Sequence, residues 1–268
     1  MWTRKILEAR RMGKMNQKMN KLINFSIMVG VPVVLLAIWE IAGNKGYINK
    51  SIMSTPSIIW NTISDLIEKG NLQKNLLVSS KRVIIGFVYG TLAGIVLGIL
   101  MGQFEKVDKA FTVIVGVLRP IPMIGWTPLF ILWMGLGESS KIMIIAISAF
   151  WSVLVNTIDG IKSVDKKYIE VASMLEKSKF DSIKNIVLPS ISPSIFTGIR
   201  LGFSNAWRGV VAAEMIAATA GIGYMISFAR EMAQPAVLMV GLLTIGIICL
   251  IIDMVILRLQ KIIFRWNG

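Results

Sequence analysis

Histidine is absent from the 268 residues, and cysteine occurs once, at Cys249. These shortages exclude a disulfide within the chain, an ordinary His/Cys metal site and catalysis by an imidazole base. Charge is also scarce: 16% of residues are charged against 54% hydrophobic, and the acidic residues number 15 against 29 basic ones. One soluble core of this size cannot hide so much apolar surface, so the chain is read as an all-α membrane protein. Internal repeats, low-complexity tracts and a soluble domain are missing from the pattern. A phosphate loop is missing too, because Gly135-Leu136-Gly137-Glu138-Ser139-Ser140-Lys141 lacks the Gly-Lys-Ser/Thr ending and leads into an apolar run. No nucleotide or other cofactor is expected in this chain.

What the sequence does contain is a series of apolar runs at Ile23–Ala42, Val83–Gly102, Phe111–Met134, Ile142–Asn156, Ile195–Ala218 and Ala236–Leu257. Most reach or approach the roughly 20 residues that carry a helix across the hydrocarbon layer. About six transmembrane helices are therefore expected, the fourth the shortest and the third the least regular. The first run is too long for a signal-peptide core and no small-x-small cleavage site follows it, so it is read as a retained span. The domains are a basic tail at 1–22, a transmembrane domain at 23–257 interrupted by a polar loop at 161–194, and a second tail at 258–268.

Of the 29 Lys and Arg residues, 18 flank the runs on the side of both termini and the 161–194 loop, eight lie on the other side, and Arg119, Arg200 and Arg208 fall within spans. The positive-inside rule makes the richer side cytoplasmic. The basic excess then reports topology and contact with anionic lipid, and no nucleic-acid partner is inferred.

Several local patterns refine the spans. Thr55-Pro56 reads as an N-cap with proline at the first helical position and Lys69-Gly70 as a stop, which predicts a short helix along the outer interface. Gly86, Gly90, Gly94, Gly98 and Gly102 recur every fourth residue and form a stripe for close helix packing. Arg119-Pro120-Ile121-Pro122 followed by Trp126-Thr127-Pro128 interrupts the third run, as a broken span beside a watery path or as a plain kink. The stretch from Gly221 to Pro235 reads as an outer loop or re-entrant turn. On a helical projection of the fifth run, Arg200, Ser204, Trp207, Arg208 and Glu214 share one arc, while Gly198, Gly202 and Gly209 lie opposite. Arg200 is close enough to the loop to snorkel. Arg208 is deeper, and either faces a pore or forms an ion pair with Glu214 or another helix's carboxylate.

The loop contains Tyr168-Ile169-Glu170-Val171-Ala172-Ser173-Met174-Leu175 and closes on Ile186-Val187-Leu188-Pro189. From the residues alone this is a short helix, either an ordinary solvated one or one that docks on a partner. It resembles the Glu-Ala-Ala cytoplasmic loop of ABC-type importer permeases. Ser54-Thr55-Pro56-Ser57-Ile58-Ile59-Trp60, Arg82-Val83-Ile84-Ile85-Gly86-Phe87, Pro120-Ile121-Pro122 with Trp126, and Ala213-Glu214 before Gly221-Ile222-Gly223-Tyr224 look like the nitrate/sulfonate/taurine permease subfamily. The resemblance departs at Val171, where alanine is usual, and at Glu176, where a glycine would allow a turn between two short helices.

The resemblance implies a multi-pass cell-membrane permease that is not itself an enzyme. It would act with a second permease chain, most simply its own copy, two cytoplasmic ATPase subunits and an extracytoplasmic solute-binding protein. Glu170, Ala172, Ser173, Met174 and Leu175 would form the ATPase-docking coupling helix. Candidates for the translocation path are Arg208, Trp207, Ser204, Glu214, Pro122 and Trp126. The implied solute is a small anion such as a sulfonate, taurine or nitrate, with a heterocyclic vitamin precursor as the alternative. The rival class, a secondary carrier or channel, would more often carry mid-depth carboxylates or two similar halves, whereas Glu40, Asp159, Glu214 and Asp253 sit toward span ends.

Overall fold

The computed structural model describes residues 26–49, 52–164 and 188–264, and they are helical throughout, with no strand among them. Helices run at α1 (Ser26–Asn44), α2 (Pro56–Glu68), α3 (Asn71–Gln103), α4 (Glu105–Leu118), α5 (Met123–Met134), α6 (Glu138–Lys162), α7 (Leu188–Ala217), α8 (Ile222–Glu231) and α9 (Pro235–Ile263). Helices α1, α3, α6 and α9 are each long and apolar enough to cross a membrane, and the bent pair α4–α5 makes a fifth candidate span. Helix α7 stands outside that group because Arg200, Arg208 and Glu214 break its apolar run, although its 30 residues extend roughly 45 Å.

Packing divides the chain into residues 1–62 and 63–268. Within the first unit, the Glu40 carboxylate accepts from the Ser57 backbone N–H at 3.0 Å and from the Ser57 hydroxyl at 2.8 Å. It thus places negative charge at the donor-rich start of α2. The helix expected between Thr55 and Lys69 is present, and Gly70 at φ +69 turns the chain into α3.

The second unit is built on α6, which lies between α3 and α7. A Cβ placed on Gly86, Gly94, Gly98 or Gly102 would meet Ile145, Val153, Thr157 or Ile161 at 2.6–2.9 Å, and one on Gly90 would overlap the Ala146 carbonyl. Residue numbers rise together along this contact, so α3 and α6 run parallel. On the other side, Gly198 faces Asn156, Gly202 faces Val153 and Ala149, and Gly209 faces Ser148, so α7 runs antiparallel to α6. Both glycine faces read from the sequence are thus spent on the same helix. Val83, Ile145, Ala149, Ala206, Trp207 and Val210 fill the core where the three meet.

Two expectations are corrected here. The fourth span is not short: α6 covers 25 residues, because Ser140, Lys141, Thr157 and Asp159 extend it beyond its apolar middle. Ser140, Lys141 and Thr157 are buried against neighbours, so their polarity does not mark the edge of the span. The stretch from Gly221 to Pro235, expected as an outer loop or re-entrant turn, is no open loop: it contains the ten-residue helix α8, whose Ile222, Met225 and Ile226 pack on Leu72, Leu76, Val211 and Leu238.

Steric closure at Gly90 gives a direct test. Gly90→Ala forces the α3 and α6 backbones apart, at a cost of about 1–3 kcal/mol. Gly116→Ala, where nothing lies within 4 Å, is the control. Thermal unfolding of the purified protein in detergent should show a lowered midpoint for the first variant alone; equal midpoints would refute the close-contact account.

Candidate functional site

Two polar regions lie inside the helical unit, and they differ in how their charges are balanced. The first joins the N-terminal parts of α3 and α6 to the end of α7. Arg82 donates through Nε and Nη2 to both oxygens of Glu138 at 2.7 Å, a two-bond fork. Its Nη1 donates to Glu214 at 2.7 Å and to the Ala220 carbonyl at 2.6 Å. Lys141 reaches Glu138 at 3.0 Å. The cluster therefore holds two cations and two carboxylates, with Arg82, Lys141 and Glu214 buried and Glu138 at the rim.

Glu214 is further enclosed by Ser79, whose hydroxyl lies 2.8–2.9 Å from both carboxylate oxygens, and by the Gly223 N–H at 2.9 Å. The Ser79 oxygen in turn accepts from Ile222 N–H, and Asn75 accepts from Gly221 N–H, each at 2.8 Å. Gly221 has φ +124, and a Cβ there would overlap the Glu214 carboxylate, so only glycine fits. The turn between α7 and α8 is wrapped onto one buried carboxylate.

The second region is a cavity of about 540 Å³ at the break between α4 and α5. The two helices bend by 103° there. Arg119, Pro120, Ile121 and Pro122 form one wall, Ser148, Trp151, Ser152 and Asn156 of α6 a second, and Leu201, Asn205 and Arg208 of α7 a third. Among the described residues, no Asp or Glu lines it. Asn205 Nδ2 donates to Ser152 Oγ at 2.6 Å, and its carbonyl accepts from Arg208 Nη1 at 3.3 Å. The expected break in the third span is real, and the cavity opens on it.

The sequence-derived candidates separate accordingly. Arg208 and Pro122 line the cavity. Trp207 is buried in the α3–α6–α7 core, and Trp126 stacks near Phe130 at 5.8 Å. Ser204 is partly buried on α7 and is not part of the cavity wall. Glu214 belongs to the Arg82 cluster, so a pair with Arg208 is ruled out: the shared arc on α7 is divided between two neighbours about 9 Å apart along the helix axis. Arg200 meets Asp253 at 3.4 Å rather than only snorkelling. Glu170, Ala172, Ser173, Met174 and Leu175 lie outside the described residues.

Arg82, Glu138, Lys141 and Ser79 were not singled out by the sequence as partners of Glu214. Their separations along the chain, 132 residues for Arg82 to Glu214, carry no local periodicity. The only signal is that Glu214 and the Gly221–Gly223 turn occur close together.

Residues 90–267 match the family described as the binding-protein-dependent transport system inner membrane component. A relative in Bacillus subtilis named as an aliphatic sulfonates transport permease is 36% identical over 89% of this chain and 86% of its own length. A nitrate import permease of Synechocystis is 31% identical over 86% of each chain. A chain of the MetNI methionine ABC transporter, solved in inward-facing conformations, superposes with a TM-score of 0.61 over 68% of this chain and 91% of its own; at 15% identity that is a likeness of fold.

The buried cluster generates a stability prediction. Arg82→Met leaves Glu214 buried without its counter-charge and should cost roughly 3–5 kcal/mol, seen as lower yield and an earlier unfolding midpoint. Combining it with Glu214→Gln should recover part of the loss. A single variant as stable as the parent would contradict the role assigned to the pair.

Proposed function

The chain belongs to the family of binding-protein-dependent transport system inner membrane components, and we propose that it forms the permease of an ATP-driven importer for a small oxyanion. The observation that carries the solute class is the cavity at the α4–α5 break, which is lined by Arg119, Arg208, Asn205 and Ser152 and, among the described residues, by no carboxylate. Such a surface attracts anions and repels cations. The names of the relatives, sulfonates in one and nitrate in the other, agree with that charge. A heterocyclic vitamin precursor would find two cationic side chains of no use to it.

In this reading two copies of the chain enclose the path, an extracytoplasmic binding protein delivers the solute, and two ATPase subunits dock on the 168–182 segment. The described residues supply a geometric support. Lys162 pairs with Asp108 at 2.8 Å, and Ile161 packs with Ile191, so residues 104–109, 161–164 and 188–191 gather at one end of the helices. The Arg82 cluster occupies the opposite end, roughly 39 Å away along α7 from Leu188. Leu188 and Pro189 are the first described residues of α7. A push on the loop would thus reach the cavity wall through one continuous helix.

Docking is tested with Ala172→Arg, which puts a long charged side chain on the contact face. The ATPase subunit should no longer co-purify, and uptake of radiolabelled alkanesulfonate by cells expressing the whole system should fall to background, while the permease still inserts. Retained ATPase with normal uptake would displace the dock from this segment.

Orientation is tested by single-cysteine labelling in a Cys249→Ala background. Asn71→Cys should react with an impermeant maleimide from outside intact cells, and Ser178→Cys only after permeabilisation. The reverse pattern would invert the topology and with it the cytoplasmic placement of both termini.

A further inference from the structure

Among the cationic side chains inside the helical unit, most are neutralised. Arg82 and Lys141 share Glu138 and Glu214, and Arg200 meets Asp253. Arg119 and Arg208 differ: among the described residues no carboxylate lies within ion-pair distance of either, and both line the same cavity. Both are exposed, so two positive charges without a carboxylate partner border one open cavity, and they repel each other less when an anion shares it.

The surroundings are those of a receptor for such an anion. Arg208 has five donors, and its bond to Asn205 is long at 3.3 Å, so that contact aims the fork without consuming it. Asn205 is itself fixed by its 2.6 Å bond to Ser152. Arg119 caps the C-terminus of α4 in helical geometry, its own N–H bonded to Val115, which sets its backbone rigidly at the break. Beyond the break, α5 begins at Met123 with no side-chain cap on its first turn, and Met123 and Ile124 form part of the cavity wall. The helix start adds a third source of positive potential to the two arginines. Ile121 and Leu201 offer apolar surface beside them.

We propose that Arg119 and Arg208 together form an oxyanion-binding site within the permease itself, Arg119 being the second half of a bipartite clamp that takes the head group of a small alkanesulfonate. The inference rests on the importer reading and deepens it by assigning solute recognition to the membrane chain as well as to a binding protein. The two arginines stand on different elements: Arg208 on α7, which continues from the loop proposed to meet the ATPase, and Arg119 on the broken span. An anion held by both forks ties α7 to the break, and a relative shift of α7 separates the forks and releases it. Bidentate geometry makes lysine a poor substitute at either position.

The test uses the permease–ATPase complex in lipid nanodiscs, without binding protein, and isothermal calorimetry with methanesulfonate. Dimethyl sulfone, of nearly equal shape and no charge, is the comparison probe. Methanesulfonate should bind and the sulfone should not. Arg119→Gln and Arg208→Gln should each weaken binding at least tenfold, Arg119→Lys should restore only part, and Arg258→Gln, an exposed position on α9, should leave it unchanged.

Equal binding of both probes by the parent protein would overturn the site without any variant being needed. Loss on Arg208→Gln with full binding by Arg119→Gln would overturn the bipartite clamp. Failure of either glutamine variant to assemble, judged by size exclusion, would point to ion pairs with the second copy and overturn it as well. Absence of binding while the complete system still imports sulfonates would remove the site and leave the importer reading in place. Failure of the complete system to import any sulfonate would instead remove the solute class.

Discussion

Helix α6 can sit between α3 and α7 only because its neighbours present glycine to it on both sides. At Gly90 the α3 backbone meets the Ala146 carbonyl, and at Gly209 the α7 backbone meets Ser148, leaving no room for a methyl group at either place. In lipid, water expulsion does not drive helices together, so close van der Waals contact of this kind carries much of the association. The rest follows from that three-helix contact. The parallel α3–α6 pairing brings Arg82 beside Glu138 and Lys141, and the antiparallel α7 delivers Glu214 to the same end. The packed faces are also the reason that Asn205 and Ser152 come within hydrogen-bond distance further down.

The buried cluster and the cavity solve opposite problems with the same residue type. Arg82 is surrounded by acceptors: two carboxylates and a backbone carbonyl take four of its five N–H donors, and the four charged groups cancel. An arrangement so fully satisfied in low dielectric is stiff, because moving any member strands another. It fixes the α7–α8 turn against α3. Arg208, six residues earlier on the same helix, has one long hydrogen bond. A side chain with unused donors is available to a ligand, whereas a saturated one holds structure. In the importer proposed above, stiffness at one end of α7 and openness in its body would let the helix act as a lever whose far end stays anchored.

How much of this was legible depends on whether the signal was local. The glycine stripes were, since a four-residue repeat on α3 and the Gly198–Gly202–Gly209 face of α7 need only one helix to be recognised. The break at Arg119–Pro122 was legible because proline removes donors wherever it stands. The Arg82–Glu214 pair was not, since nothing within either helix announces a partner 132 residues away, and Glu214 was instead grouped with Arg208 by a projection that knows one helix at a time. The length of α6 was underestimated for a related reason: polarity at Ser140, Lys141 and Thr157 marks a membrane boundary only when the side chain faces lipid or water, and these face protein. Helix α8 lies in a stretch read as an outer loop or re-entrant turn, and Gly221 and Gly223, which looked like turn residues, serve close approach to a carboxylate.

That last point bears on the motif shared with the permease subfamily. Ala213-Glu214 and Gly221-Ile222-Gly223 look like two separate marks along the sequence, yet in the fold they are the two sides of one contact. Gly223 donates to Glu214, Gly221 cannot carry a Cβ beside it, and Ile222 N–H bonds to the serine that also holds Glu214. Changing either mark alone would leave the other without its purpose, a bulky residue against a carboxylate or a tight turn around nothing. The same reasoning separates the two roles of α7. Glu214 belongs with the turn that follows it, and Arg208 belongs with the broken span that faces it. A helix carrying both is anchored through one, and in the proposed importer it would meet the solute through the other.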